Sequence, residues 1–228
     1  MGRLGAWTSG FLLVLLSIHA VRLGGLDSSA DFSFSLSPSA AAGSYRLLGV
    51  PQVAAIFAER SARKDSERLA RHLLKVCLKN RFDPAFVLSL INVESSFRVD
   101  AISPAGAVGL MQLMPATAGW LAKSRGLGRA GDLRDPYRNL TLGVAYLSYL
   151  RDRYPELSPF ELLSAYRMGP ARVAAIQKAH GSGGLTRNES KKYFQAVRRG
   201  FSVLHTRPQE LLHNEVPEHR KWGRHPGV

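Results

Sequence analysis

Cysteine is nearly absent from the sequence, which contains only Cys77 among its 228 residues. A single thiol excludes an intramolecular disulfide and any cysteine cluster with the spacing of a metal site. Its neighbours Leu73, Leu74 and Leu78 indicate a buried core position. We therefore expect no bound metal and interpret Cys77 as an inert core residue.

Acidic residues are also scarce, with 17 Asp and Glu against 31 Lys and Arg. The resulting formal net charge of +14 indicates an anionic partner. Nucleic acid, a membrane surface and an acidic wall polymer all satisfy this condition, and charge alone does not choose among them.

A long apolar run occurs only at the amino terminus, where Arg3 precedes the segment GAWTSGFLLVLLSIHAV. This run is short for a comfortable membrane span and is typical of a secretory signal. We therefore predict that residues 1–25 form a signal peptide. The residues Ile18-His19-Ala20 make a mediocre cleavage site, so an uncleaved membrane anchor is the alternative. No cysteine follows the run, which argues against a lipoprotein.

Alternating strand patterns are missing from residues 65–205, and no repeat of fixed period occurs. Helix starts are instead frequent, because a capping side chain directly precedes a proline at three places. These pairs are Asp83-Pro84, Asp135-Pro136 and Ser158-Pro159. The sequence therefore predicts an all-α fold.

Composition divides the chain into four parts. Residues 26–50 are rich in Ser and Ala and predict a flexible linker after the signal. Helical spacing begins with VPQVAAIF and predicts one folded domain over residues 51–205. Residues 206–228 form a basic polar tail whose histidines lack tight metal-ligand spacing.

One carboxylate, Glu94, stands out in the predicted helix that starts at Pro84. It shares a face with Val87 and Ile91, so it continues an apolar stripe at the carboxyl end of the helix. Apolar surroundings and the helix dipole both disfavour a charge there, which suits a general acid. The alternative is a terminal glutamate that reaches into water.

The segment after Glu94 reads SPAGAVGLMQLMP and places one amide, Gln112, among apolar residues. In its first part, SPAGAVG, two glycines and a proline allow the backbone to approach a ligand closely, and the amide offers both a donor and an acceptor. This combination suits a polyhydroxylated, N-acetylated substrate. The alternative is an amide that braces the loop.

Five motifs occur in an order that resembles the soluble lytic transglycosylase (SLT) domain, a family related to goose-type lysozymes. The resemblance covers about residues 65–205, and the ordered combination is far more specific than any one motif. The motifs are Glu94-Ser95, A-x-S-P-A-G-A-x-G-L-M-Q-L-M-P from Ala101, DP-x-x-N from Asp135, G-x-x-YL from Gly143, and AY-x-x-GP from Ala165.

The resemblance implies a lysozyme-like helical domain that cleaves the bond between N-acetylmuramic acid and N-acetylglucosamine in peptidoglycan. Glu94 matches the family's single acid/base, which leaves 1,6-anhydro ends and needs no cofactor. The implied location is the periplasm or the cell envelope. The basic surface would then contact an anionic wall polymer or membrane rather than nucleic acid.

Six further residues are candidates for substrate binding. Tyr166 matches a tyrosine whose hydroxyl lies near the acid, although a core aromatic is the alternative. Arg167 departs from the family pattern, which has an uncharged amide there. Glu189 follows Thr186 in a pattern that also fits a capping box. The six are Ser103, Met111, Gln112, Tyr166, Arg167 and Glu189.

Two other functions remain open at this level. A lysozyme-like hydrolase would cleave the same bond with water. A wall-binding scaffold with a degenerate site is the second alternative, motivated by Arg167 and the basic tail.

Overall fold

The computed structural model describes residues 48–180 and 188–206, all within one compact unit. These residues form helices and loops, with two isolated β-bridges in the loop before α4. The predicted all-α fold is confirmed. The helices are α1 (Val50–Ser61), α2 (Ser66–Asn80), α3 (Pro84–Ser95), α4 (Pro115–Ser124), α5 (Pro136–Arg153), α6 (Pro159–Met168), α7 (Pro170–His180) and α8 (Asn188–Thr206).

The three predicted helix starts are confirmed by their capping hydrogen bonds. Asp83 accepts from the amide of Ala85 at 2.7 Å, and Asp135 accepts from the amide of Tyr137 at 3.0 Å. Ser158 begins α6 as part of a capping box with Glu161. Each cap satisfies an amide that the first helical turn leaves without an internal partner.

The helical spacing of residues 50–80 is interrupted in the structure. α1 ends at Ser61, and Ala62 adopts a left-handed conformation with φ 50°. Asp65 then accepts hydrogen bonds from Arg63 at 2.7 Å and from the Tyr137 hydroxyl at 2.8 Å. Because Arg63 stabilises the carboxylate, the pKa of Asp65 falls to about 2. This polar cluster fixes the turn that the periodicity of the sequence does not reveal.

α3 is the central helix of the core. Eleven of its twelve residues are buried, and Glu94 is the exception. α8 packs along α3, and Gly200 permits close approach, because an added Cβ would lie 3.2 Å from the Cβ of Ser89. The carboxylate therefore lies where a buried helix meets the accessible surface.

Cys77 is buried in α2, as expected, and burial raises the pKa of its thiol. None of the helices in the described ranges is both long and apolar enough to cross a membrane. Within the same residues, no three His, Cys, Asp or Glu side chains lie together as a metal site would require. The predicted signal, nearly all of the linker and the tail lie outside the described residues.

Candidate active site

The turn after α3 fixes the position of Glu94. Ser96 and Phe97 both have positive φ, 50° and 64°, a conformation that side chains other than glycine rarely adopt. Ser61 on α1 donates a hydrogen bond to the carbonyl of Phe97 at 2.9 Å. Ser95 donates to the carbonyl of Leu110 at 2.8 Å. The helix end is therefore tied both to α1 and to the loop that follows.

Glu94 has a specific partner on α8. The hydroxyl of Tyr193 donates a hydrogen bond to Oε1 of Glu94. Tyr193 is 3% exposed, and burial together with the neighbouring carboxylate raises its pKa well above the usual value. Tyr193 therefore remains a neutral donor, and its hydrogen bond orients the carboxylate of Glu94.

Gln112 braces the loop between α3 and α4 through its side-chain amide. Its Nε2 donates to the carbonyls of Ala101 at 3.1 Å and Gly109 at 3.0 Å. Its backbone has φ 47°, so the amide supports a strained position. Ser103 acts similarly, because its hydroxyl accepts from the amide of Ala107 at 3.0 Å.

Asn139 on α5 holds the same loop through three side-chain hydrogen bonds. Its Oδ1 accepts from the amide of Met111 at 2.7 Å, and its Nδ2 donates to the carbonyls of Val108 and Leu133, both at 2.9 Å. Gly109 allows this contact, since it has φ 81° and an added Cβ would lie 2.8 Å from the Cγ of Asn139. The DP-x-x-N motif thus positions the loop beside the acid.

Tyr166 on α6 completes the wall of the site. Its hydroxyl donates to the carbonyl of Met111 at 2.7 Å, and the ring is 6% exposed. Burial raises the pKa of Tyr166 well above its usual value, and the nearby charge of Glu94 adds to the effect. Tyr166 therefore lies near the acid, whereas the hydroxyl bonded to Glu94 is that of Tyr193.

Arg167 places a positive charge beside this pair. Its guanidinium carbon lies 5.2 Å from the centroid of the Tyr193 ring, within cation–π range. The charge opposes the rise in the pKa of Tyr193. The residue that departs from the family pattern therefore contacts the tyrosine that orients the acid.

The structure brings three predicted residues, Glu94, Tyr166 and Arg167, around a residue that was not among the candidates, and it joins Met111 to Tyr166. The residue that was not a candidate is Tyr193, for which the only sequence signal was its position in the segment after Glu189. The side chain of Glu189 lies outside the described residues.

Chemically, the site combines one accessible carboxylate with two buried hydroxyl donors and one guanidinium. Such a carboxylate is suited to giving a proton to a ligand and taking one back, because a hydrogen bond orients it while Glu94 is only partly buried. Asp100, the next carboxylate along the sequence, is exposed in a turn.

The sequence matches the family model described as "Transglycosylase SLT domain" over residues 73–188. A membrane-bound lytic murein transglycosylase C of Histophilus somni is 32% identical over 176 residues, which cover 72% of this chain and 46% of that protein. The corresponding Haemophilus influenzae protein is 35% identical over 113 residues, covering 45% and 31%. The chain thus spans less than half the length of these relatives.

Two solved structures of lytic transglycosylases are also similar to this chain. An inactive mutant of lytic transglycosylase Slt from Pseudomonas aeruginosa superposes with a TM-score of 0.52 at 28% identity, covering 62% of this chain and 24% of that one. The 70 kDa soluble lytic transglycosylase of Escherichia coli superposes with a TM-score of 0.53 at 20% identity, covering 67% and 29%. The second likeness concerns the fold alone.

Proposed function

We propose that this chain, which belongs to the transglycosylase SLT domain family, cleaves peptidoglycan between N-acetylmuramic acid and N-acetylglucosamine and leaves 1,6-anhydro ends. One observation carries the proposal. The only residue of α3 that is not buried is a glutamate, and a buried tyrosine hydroxyl fixes its carboxylate. The names of the relatives point to the same substrate.

Glu94 acts first as the acid. Its protonated carboxyl gives a proton to the glycosidic oxygen, and the bond from that oxygen to C1 breaks. A positioned general acid contributes roughly 10²–10⁴-fold to such a step. The positive charge that develops at C1 is stabilised by the substrate's own 2-acetamido group, so a second carboxylate is not required.

Glu94 then acts as the base. The carboxylate takes the proton of the C6 hydroxyl, and the C6 oxygen closes on C1 to form the anhydro ring. Tyr193 supports this stage, because its hydroxyl already donates to the carboxylate and holds it in place. The proton given up in the first step is recovered in the second, and the enzyme returns to its starting state.

The remaining candidates shape the sugar site or contact the sugars. Gln112 and Ser103 hold the loop in the form that receives the substrate, and the buried Met111 is fixed by Tyr166 behind that loop. Arg167 offers a planar donor to the lactyl or peptide carboxylates of the strand. Glu189 is a further proposed substrate contact, because Glu189-Ser190 followed by Tyr193-Phe194 resembles the family's E-T-x-x-Y-V segment.

The chain acts in the cell envelope. Residues 1–25 export it and are either removed or retained as an anchor, and residues 26–50 tether the domain of residues 51–205. The basic surface and the tail of residues 206–228 contact anionic wall polymer or membrane. Fractionation of cells, with amino-terminal sequencing of the mature chain, distinguishes a cleaved signal from a retained anchor.

The catalytic proposal is tested by digesting purified sacculi with the wild type and with Glu94→Gln. Mass spectrometry of the released muropeptides should find anhydro ends from the wild type, and a loss of roughly 10²–10⁴-fold in the variant. Glu67→Gln is the matched control, because it makes the same change at an exposed residue of α2.

Two results would contradict this assignment. Ends heavier by one water would indicate a hydrolase of the lysozyme type. Binding to sacculi without turnover by the wild type would indicate a wall-binding protein with a degenerate site.

A further inference from the structure

A row of four aromatic rings leads from the acid to the surface. The centroid of Tyr146 lies 5.4 Å from that of Tyr166 and 6.3 Å from that of Tyr149, and Tyr149 lies 4.7 Å from Trp120. Burial decreases along the row. Tyr166 and Tyr146 are buried, Tyr149 is half-buried, and Trp120 is 46% exposed. The row therefore places the exposed face of α4 three ring contacts from Tyr166.

Cationic side chains border the outer end of this row. The guanidinium carbon of Arg125 lies 5.7 Å from the Tyr149 centroid, and that of Arg153 lies 5.4 Å from the Tyr154 centroid. Tyr154 and Arg153 lie close enough to Tyr149 to influence its pKa, which burial raises. We call the five residues Trp120, Arg125, Tyr149, Arg153 and Tyr154 the Trp120 patch.

A single exposed apolar residue is ordinary on a protein surface and by itself needs no ligand. The Trp120 patch differs in two respects. It lies near the site, because the buried Tyr146 ring contacts both Tyr149 and Tyr166, and it combines flat aromatic surface with hydroxyl and guanidinium donors. A sugar ring has the complementary composition, with an apolar C–H face and a rim of hydroxyls.

We propose that the Trp120 patch binds a further sugar of the glycan strand, beyond those in contact with Glu94. The sugar lies on Trp120 and Tyr149, and Arg125 binds a carboxylate of the lactyl or peptide group attached to the strand. The inference rests on the proposed function, because a polymeric substrate must leave the site along some surface, and this one is basic and close to the site.

The test measures binding in a Glu94→Gln background, where the ligand is not consumed. The probes are the trisaccharide and the hexasaccharide of N-acetylglucosamine. We expect Trp120→Ala to weaken hexasaccharide binding about tenfold, the size of one aromatic contact, and to leave trisaccharide binding unchanged. Trp120→Phe should retain most of the affinity, since it keeps an aromatic face.

Leu78→Ala is the matched control. Leu78 is 71% exposed and lies on α2, outside the Trp120 patch, so both oligosaccharides should bind to this variant as before. Denaturation midpoints of all variants establish that each is folded.

Three results would overturn the inference. Hexasaccharide affinity could be unchanged in Trp120→Ala, or both oligosaccharides could lose affinity together, which would make Trp120 a structural support of the main cleft. If Trp120→Ala lost binding to vesicles of anionic phospholipid but still bound the hexasaccharide as the wild type does, the Trp120 patch would be a membrane contact. Failure of the catalytic proposal is a separate result, because anhydro ends are measured on sacculi with the Glu94-containing enzyme.

Discussion

The hydroxyl of Tyr193 donates a hydrogen bond to the carboxylate of Glu94, across 99 residues of sequence. The family model matches residues 73–188 and so ends before Tyr193. Packing of α8 along α3 brings the two residues together. The orientation of the proposed acid therefore depends on a helix that lies almost wholly beyond the matched region.

Tyr193→Phe should lower the rate of anhydro-end formation by about 10- to 100-fold, the value of one hydrogen bond to a charged group of about 1.5–3 kcal/mol. The ring remains, so packing of α8 on α3 should change little. The measurement is the initial rate of muropeptide release, together with the free energy of unfolding.

Tyr137→Phe is the control for this change. The Tyr137 hydroxyl also donates to a carboxylate, that of Asp65, but at the turn between α1 and α2. We expect this variant to retain its rate. Equal rates for the Tyr193 variant and the wild type would refute an orienting role for Tyr193.

Asn139→Ala should destabilise the protein by about 2–4 kcal/mol, because one buried amide and two carbonyls lose their partner. Asn139 is fully buried. Its partners are the amide of Met111 and the carbonyl of Val108, in the loop beside the acid, and the carbonyl of Leu133, just before α5. Denaturant unfolding measures the loss. Asn80→Ala removes a single bond to the carbonyl of Val76 at a half-buried helix end and should cost less than 1.5 kcal/mol.

Gly143→Ala should be destabilising by about 1–3 kcal/mol through overpacking. A Cβ at this position would lie 2.8 Å from the Cβ of Met111 and would also meet its sulfur. Met111 must then shift, so the activity should fall as well. Gly119→Ala makes the same change on α4, where a Cβ meets nothing within 4 Å, and should be neutral or stabilising. Equal effects of the two changes would show that Met111 has room to move.

Local signals in the sequence predicted the caps, the helical class and the position of Glu94. An aspartate or serine before a proline determines a helix start through contacts within a few residues, and helical periodicity places Glu94 on the stripe of Val87 and Ile91. Such features need no knowledge of the tertiary structure.

Features that depend on distant segments were missed or left open. The break at Ala62 is fixed in part by Tyr137, and the choice of Tyr193 as the partner of Glu94 follows from the packing of α8. Gln112 was left open between sugar contact and loop support, and its two hydrogen bonds to the loop favour support. Spacing alone specifies which face a residue occupies but not which distant segment covers that face.

Stability should fall as the pH decreases below 6.5, in part through His205. His205 lies 3.1 Å from Asp83 at the start of α3, and burial lowers its pKa from 6.5, although the carboxylate opposes the shift. The folded state thus binds fewer protons than the unfolded state, so stability present above pH 6.5 is lost as the pH falls toward the folded pKa.

The measurement is denaturant unfolding of the wild type and His205→Gln at pH 7.5 and pH 6.0. We expect a smaller difference between the two pH values in the variant. Some difference should remain, because burial also lowers the pKa of His72. Burial raises the pKa of Asp83 above 3.8, so the contribution of Asp83 to stability decreases as the pH rises from 3.8. This effect is opposite to that of His205, and the lower pH of the measurement is therefore kept near 6. An identical pH dependence in both proteins would contradict the role of His205.

Arg167 should distinguish charged from neutral glycans. Its guanidinium lies over Tyr193 at the cleft, where a charge-assisted hydrogen bond to a carboxylate of the strand is worth about 1.5–3 kcal/mol. In a Glu94→Gln background, Arg167→Gln should weaken binding of peptide-bearing muropeptides at least tenfold and leave the N-acetylglucosamine hexasaccharide unaffected. Arg167→Lys should recover part of the affinity, since it keeps the charge but not the planar fork. Arg172→Gln, an exposed position on α7, is the control and should change neither affinity. Equal losses for both ligands in Arg167→Gln would instead assign Arg167 to the support of Tyr193, because a guanidinium that only holds the tyrosine ring does not discriminate between carboxylate-bearing and neutral sugars.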